Sequence, residues 1–413
     1  MRNILVFFLS FLAVNSFAQQ APEPTVILIS LDGFRYDYVE RFKPENLSRF
    51  IEDGVAAKSL IPSFPTKTFP NHYTIATGMR PEHHGIVDNS FYNPKKDQEY
   101  RINKRELVTD GSWYGGTPLW VLAEENGMKA ASYFFVGSEA DVKGIRPSYY
   151  YDYDGRVPNL TRVSQVFEWL QMPDSIRPRM ITMYFSDIDD LGHSFGPNKD
   201  ELLSSGIERL DRQLGALFEG VKNIDQEVNI IIVSDHGMAN VPLEKYIALN
   251  EITKGIAGRI VDSGALAHIY LDDPKDKDKV IAQIEKDAKG YSVFDPAKGE
   301  YYQDVSVYGD RIGDVIILAE LGYYFMGNQE YREVIERRMR IDDTQVRGTH
   351  GYSQKYPEMH GIFYANGPQI KSGKTIDSFD NIHIYPLICH ILGLPIPKNI
   401  DGELEVLKPI LDQ

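Results

Sequence analysis

Three stretches of this chain are predominantly apolar and rich in β-branched residues: Thr25 to Leu31 (TVILISL), Met180 to Phe185 (MITMYF) and Val228 to Val233 (VNIIIV). Apolar runs of this kind predict strands buried on both faces, as in a parallel sheet. Between them the period changes. Leu203, Ile207, Leu210, Leu214 and Leu217 recur at alternating steps of four and three, which gathers them on one helical face. Residues 117–127 and 158–172 also read as helices. The alternation predicts an α/β fold with a mostly parallel central sheet and helices on both faces. In such folds ligands bind outside the carboxyl ends of the strands. Each of the three strands runs into acid, at Asp32, at Asp187 and Asp189, and at Asp235. Their carboxylates are expected to converge on one crevice.

The segment from about 245 to 345 is richer in charge and includes two helix-like runs, residues 273–290 and 330–340. It is read as a smaller elaboration packed on the same domain. At the other end, Arg2, the apolar run Ile4 to Val14 and the small residues Ser16 and Ala18 predict a secretory signal peptide over residues 1–18. An uncleaved anchor is the alternative. Residues 19–413 are then expected to form a single catalytic domain, exported to a periplasmic or extracellular location, with no membrane span after signal removal.

Composition narrows the chemistry. A chain that is 42% hydrophobic and 25% charged is ordinary globular protein, so disordered and polytopic membrane classes are excluded. The net charge of −15 argues against a general affinity for nucleic-acid phosphate, so no stable nucleic-acid complex is expected. The single cysteine, Cys389, excludes an intramolecular disulfide and a thiolate metal cluster. Any metal must be held by His, Asp or Glu.

Such residues are grouped. Asp189 and His193 stand four apart, so a helical turn would face them the same way. Asp235 and His236 follow a strand end, His350 sits in a glycine-flanked turn, and Asp32 closes the first strand. Three carboxylates and three imidazoles make a suitable ligand set for two Zn²⁺ ions. Each taken alone is ambiguous, because an aspartate after a strand is commonly a turn or cap residue and a lone histidine a core or surface one. Thr68 stands just ahead of an expected helix, where it is either an N-cap hydroxyl or a hydroxyl awaiting activation by a metal. His72 is read as packing or capping, His83 and His84 as surface loop, His268 as structural, His360 as a neighbour of the ligands and Lys67 as solvated. Asp187 is given no catalytic role.

In chain order, Asp32-Gly33, Pro65-Thr66-Lys67-Thr68-Phe69-Pro70-Asn71-His72, Asp189-x-x-Gly192-His193, Asp235-His236-Gly237-Met238 and His350-Gly351-Tyr352 resemble the nucleotide pyrophosphatase/phosphodiesterase family of the alkaline phosphatase superfamily. The likeness spans nearly the whole mature chain, and the chain is similar to the compact bacterial members. It implies an alkaline-phosphatase-like fold, two zinc ions per chain and a small-molecule phosphodiester or nucleotide substrate. By this resemblance Thr68 is the nucleophile and touches the zinc held by Asp32, Asp235 and His236. Asp189, His193 and His350 hold the other zinc. Asn89 donates to a phosphate oxygen, helped by the Phe69 N–H, and Phe69, Ile102 and Tyr153 flank a nucleobase.

One stretch departs from the family. Phe135-Val136-Gly137-Ser138-Glu139 stands where nucleotide-cleaving members commonly carry Trp-Pro-Gly-Ser-Asp, and Phe135 is retained as part of the pocket wall. The expected activity is zinc-dependent hydrolysis of phosphodiester or pyrophosphate bonds through a phosphothreonine. The alternatives are a phosphate monoesterase on the same bimetal scaffold and a phospholipid-type phosphodiesterase. A sulfatase and a phosphonate hydrolase are more distant enzyme readings, and a secreted binding protein that has lost the chemistry is the non-enzyme one.

Overall fold

The computed structural model describes residues 23–327, Glu333 and residues 347–412. Residues 1–18 and the helix-like run 330–340, apart from Glu333, therefore lie outside the described residues. The three apolar runs are the central strands Thr25–Leu31, Met180–Phe185 and Val228–Val233, buried along their whole length. They belong to an eight-stranded sheet. From one edge its strands are Lys374–Ile376, Val55–Ala57, Phe363–Asn366, Val228–Val233, Thr25–Leu31, Met180–Phe185, Ala130–Tyr133 and Tyr149–Tyr151. The sheet is parallel except where Phe363–Asn366 runs against both its neighbours.

Alternation along a strand sends successive side chains to opposite faces. Val26 and Leu28 enter one core, with Cys389 and its apolar helix Ile384–Leu392. Ile27, Ile29 and Leu31 enter the other. There they meet the helices Asn159–Leu170 and Asp200–Lys222, the latter through Leu203, Ile207, Leu210, Leu214 and Leu217. Leu31 pairs with Phe185 and Ser30 with Val233, so the three strands end level and their following residues share one edge.

The segment after residue 245 contains an antiparallel four-stranded sheet in the order Gly258–Asp262, Leu266–Leu271, Val315–Ala319, Tyr291–Phe294. Ala267, Ile269, Val315 and Ile317 form a separate core with Val280 and Ile284 of the helix Lys277–Glu285. Leu266, Ile316 and Leu318 pack into the first core of the main sheet. Among the described residues no helix is long and apolar enough to cross a membrane.

Candidate active site

The level strand ends deliver the carboxylates as the sequence pattern required. The Asp32 N–H donates to the Phe185 carbonyl at 2.9 Å, and the Gly33 N–H donates to Asp235 Oδ1 at 3.2 Å. Gly33 has φ +65°, and a Cβ there would lie 2.9 Å from the Asp189 backbone. Its lack of a side chain is what lets the first turn of the helix Asp187–Phe195 close on Asp32.

The imidazoles come next. His193 Nε2 lies 3.4 Å from Asp189 Oδ2, one helical turn away, and His350 Nε2 lies 3.9 Å from Asp189 Oδ1. His236 Nε2 lies 3.0 Å from Asp235 Oδ2 and 3.4 Å from Asp32 Oδ1. His350 follows the strand Arg347–Thr349, so it is a strand-end residue and not a turn residue as expected. In all three histidines Nδ1 donates to a carbonyl: Gly348 for His193 at 3.0 Å, Gly237 for His236 at 2.9 Å and Thr66 for His350 at 2.8 Å. A carbonyl only accepts, so Nδ1 carries the hydrogen and the Nε2 lone pair faces the carboxylates. That is the state a metal ligand requires.

The donor set fits a pair of divalent cations. Asp32 Oδ1, Asp189 Oδ1 and Asp235 Oδ2 are buried and receive no hydrogen bond. Buried anionic oxygens without partners are costly, and cations at this position would remove the cost. Burial, with Asp235 and Asp189 close by, holds the Asp32 carboxyl well above the usual carboxylate range. Burial likewise raises Asp189. His72 comes near Asp235, at 3.3 Å, yet both its nitrogens are engaged. Nδ1 donates to the Thr68 carbonyl at 2.9 Å, and Nε2 accepts from the Ser30 hydroxyl at 2.8 Å. Asp32, His72 and Asp235 lie close enough together to surround a cation, but with Nδ1 donating to the Thr68 carbonyl His72 presents no lone pair there.

Thr68 is the first residue of the helix Thr68–Thr77, whose N-cap is Lys67. Its hydroxyl does not cap the helix and instead lies 3.2 Å from His236 Nε2. Thr66 stitches this segment to the one bearing His350: its hydroxyl donates to the Tyr352 carbonyl at 3.0 Å and accepts the Gly351 N–H at 2.9 Å. The Phe69 N–H donates to Asn89 Oδ1 at 2.9 Å. That amide N–H was expected to face substrate; here it orients Asn89.

A family described as type I phosphodiesterase / nucleotide pyrophosphatase matches residues 26–353. The chain belongs to that family. It is 32% identical over 391 residues to ectonucleotide pyrophosphatase/phosphodiesterase family member 1 of Mus musculus, covering 91% of this chain and 42% of the mouse protein. It thus spans less than half the length of that relative. An uncharacterized pyrophosphatase/phosphodiesterase of Schizosaccharomyces pombe is 33% identical over 404 residues, covering 94% of this chain and 80% of the yeast protein. Among solved structures, murine ectonucleotide pyrophosphatase/phosphodiesterase 5, as an inactive variant in complex with AMP, superposes with a TM-score of 0.83 at 26% identity. That likeness covers 94% of this chain and 100% of the murine one. The fold is alkaline-phosphatase-like.

Beside the cluster this family member has a cavity of about 310 Å³ that Asp32, Thr68 and Asp189 share with Phe69, Ile102, Phe135 and Tyr153. Ile102 and Tyr153 stand at its rim, 38% and 47% exposed. Phe135 is buried, packs edge-on against His72 and Trp120, and lines the cavity. Asn89 lines the adjoining groove, which also takes in Ile102 and Ser263.

Other residues fall differently from expectation. Lys67 is buried, not solvated, and donates to the Ser263 carbonyl at 2.6 Å. His83 and His84 belong to the short helix Pro81–His84, and His84 is fully buried. His360 bonds Ser59 and the Gln354 carbonyl, not the ligands. Asp187 accepts from Asn159 and Arg209. Sequence reasoning passed over Tyr184, whose hydroxyl donates to Asp32 Oδ2 at 2.5 Å. Its place inside a strand that runs into the site was the available signal. It also passed over Arg105 in the cavity wall, which is ion-paired to Glu139 and Asp152.

Proposed function

We propose that this protein hydrolyses phosphodiester or pyrophosphate bonds of nucleotides or nucleotide derivatives, that its metals are two zinc ions, and that the reaction proceeds through a phosphothreonine on Thr68. The exported location expected from the N-terminal sequence is part of this reading. The observation that carries it is the position of the Thr68 hydroxyl, between a cluster of partnerless carboxylate oxygens and a cavity rimmed by Tyr153 and Ile102. AMP in the related murine structure agrees with a nucleotide in such a cavity.

Asp32, Asp235 and His236 would hold one zinc, in contact with Thr68, and Asp189, His193 and His350 the other. Bound there, the ions would supply Lewis acidity at the Thr68 hydroxyl and the phosphoryl oxygens. Thr68 Oγ1 attacks phosphorus as the bond to the leaving alcohol or phosphate breaks, and the hydroxyl proton passes to solvent. Water then cleaves the phosphothreonine and restores the hydroxyl. Asn89, oriented through its carbonyl oxygen by the Phe69 N–H, directs its amide N–H toward a phosphate oxygen. Phe69, Ile102 and Tyr153 hold the base, and any base offers a face for stacking.

A diester is favoured over a monoester by charge. Among the described residues lining the cavity Arg105 is the one cation, and its guanidinium is committed to Glu139 and Asp152. The additional charge of a monoester would find no free counterpart. The zinc-loaded protein is expected to prefer bis-p-nitrophenyl phosphate to p-nitrophenyl phosphate in kcat/KM; a strong preference for the monoester contradicts the proposal.

A further inference from the structure

Two residues that the proposed reaction uses, Thr68 and Asn89, are each preceded by a buried charged residue with no part in it. Lys67 is 7% exposed and Asp88 fully buried. Both are held by Ser263, which opens the turn between the strands Gly258–Asp262 and Leu266–Leu271 of the antiparallel lobe. The Ser263 carbonyl accepts from Lys67 Nζ at 2.6 Å, and the Ser263 hydroxyl donates to Asp88 Oδ1 at 2.5 Å. The other Asp88 oxygen lies 3.0 Å from His268 Nε2, and His268 Nδ1 lies 2.8 Å from the Ile312 carbonyl, both within the same lobe. The Lys67 stem runs across Gly351, where a Cβ would meet Lys67 Cε at 2.4 Å and where φ is +107°.

We propose that Ser263 is a positioning residue: through Lys67 and Asp88 it sets the separation of the Thr68 hydroxyl and the Asn89 amide, so that the antiparallel lobe serves the chemistry while contributing no side chain that touches the reacting atoms. This rests on the assignment of Thr68 and Asn89 given above. The physical reason is rigidity. Thr68 and Asn89 come from different segments, and a displacement of about 1 Å between groups that act together costs on the order of 10²-fold in rate. One half-buried residue that bonds both flanking side chains removes that freedom. Substrate binding by Phe69, Ile102 and Tyr153 does not pass through Ser263, so the effect falls on kcat.

The test is steady-state kinetics of zinc-loaded Ser263→Ala with bis-p-nitrophenyl phosphate, alongside zinc content and Tm. The variant keeps the carbonyl and loses the hydroxyl. Expected is a fall in kcat of about tenfold or more, with KM, zinc per chain and Tm close to the parent. Should that variant not be recovered folded, His268→Leu and His268→Gln carry the same test. The leucine loses kcat, and the glutamine, whose amide can donate to Asp88, recovers most of it. The double variant Ser263→Ala/His268→Leu loses little more than the worse single one, because both act through Asp88. Unchanged kcat, a loss confined to KM, or a loss that tracks zinc or Tm overturns the proposal. Thr68→Ala, measured beside them, separates the two readings. Activity in Thr68→Ala contradicts the nucleophile assignment, whereas an inactive Thr68→Ala with a fully active Ser263→Ala overturns the positioning role alone.

Discussion

The Thr68 hydroxyl oxygen lies 3.2 Å from His236 Nε2, although the two residues are 168 positions apart in the chain. The helix start that bears Thr68 and the strand end that bears His236 are both pinned from behind. The Thr68 carbonyl accepts from His72, and the His236 Nδ1–H donates to the Gly237 carbonyl. The hydroxyl is thereby presented to the same space as the Nε2 lone pair.

Tyr184 sets one of the carboxylates that share this space. Its hydroxyl occupies Asp32 Oδ2 and leaves Oδ1 for a cation. Tyr184→Phe is expected to weaken zinc binding by about 10–100-fold, the usual cost of losing such a support. Competition with a chromophoric chelator measures it; unchanged affinity would mean that the hydrogen bond does not orient Asp32.

A buried histidine outside the cluster predicts an acid sensitivity. Burial pushes His84 down from 6.5 to about 3, and its ring contacts Thr74 and the Pro70 carbonyl. With a folded pKa below the unfolded one, its contribution to stability is complete above pH 6.5 and is lost as pH falls from 6.5 to about 3. The slope approaches ~1.4 kcal/mol per pH unit within that window. His84→Gln should show a flatter pH dependence of unfolding free energy there, read as the difference from the parent so that titration of the metal ligands cancels.

The rim of the cavity predicts which substrates profit from it. Tyr153→Ala should raise KM for a p-nitrophenyl ester of a nucleoside 5′-monophosphate by roughly tenfold, which lies within the about 1–3 kcal/mol that one stacked base contributes. KM for bis-p-nitrophenyl phosphate should change little. Equal losses on both would assign Tyr153 to the architecture of the site and not to base recognition.

How much of this was legible in the sequence differs between elements. The strands that run into Asp32, Asp187 and Asp235 were plain, because burial on both faces leaves a largely apolar run and the acid that follows stands out. The Asp189–His193 spacing was plain because a helical turn is local. Lys67 and His84 were not, since their burial depends on partners elsewhere: Lys67 meets Ser263 across 196 positions. No local pattern records such a contact, and a lysine beside a proline-rich turn reads as solvated. The role of the Phe69 N–H was likewise decided by a tertiary bond, to Asn89. The antiparallel lobe read as charged elaboration because charged segments such as the helix Lys277–Glu285 lie between strands that are themselves buried.

The account depends most on Thr68 as the attacking group. The direct measurement is turnover of zinc-loaded Thr68→Ala on bis-p-nitrophenyl phosphate, with zinc counted in the same sample. Turnover is predicted to fall by at least ~10³-fold while zinc content stays at that of the parent. Near-parental turnover with the metals in place would contradict the account.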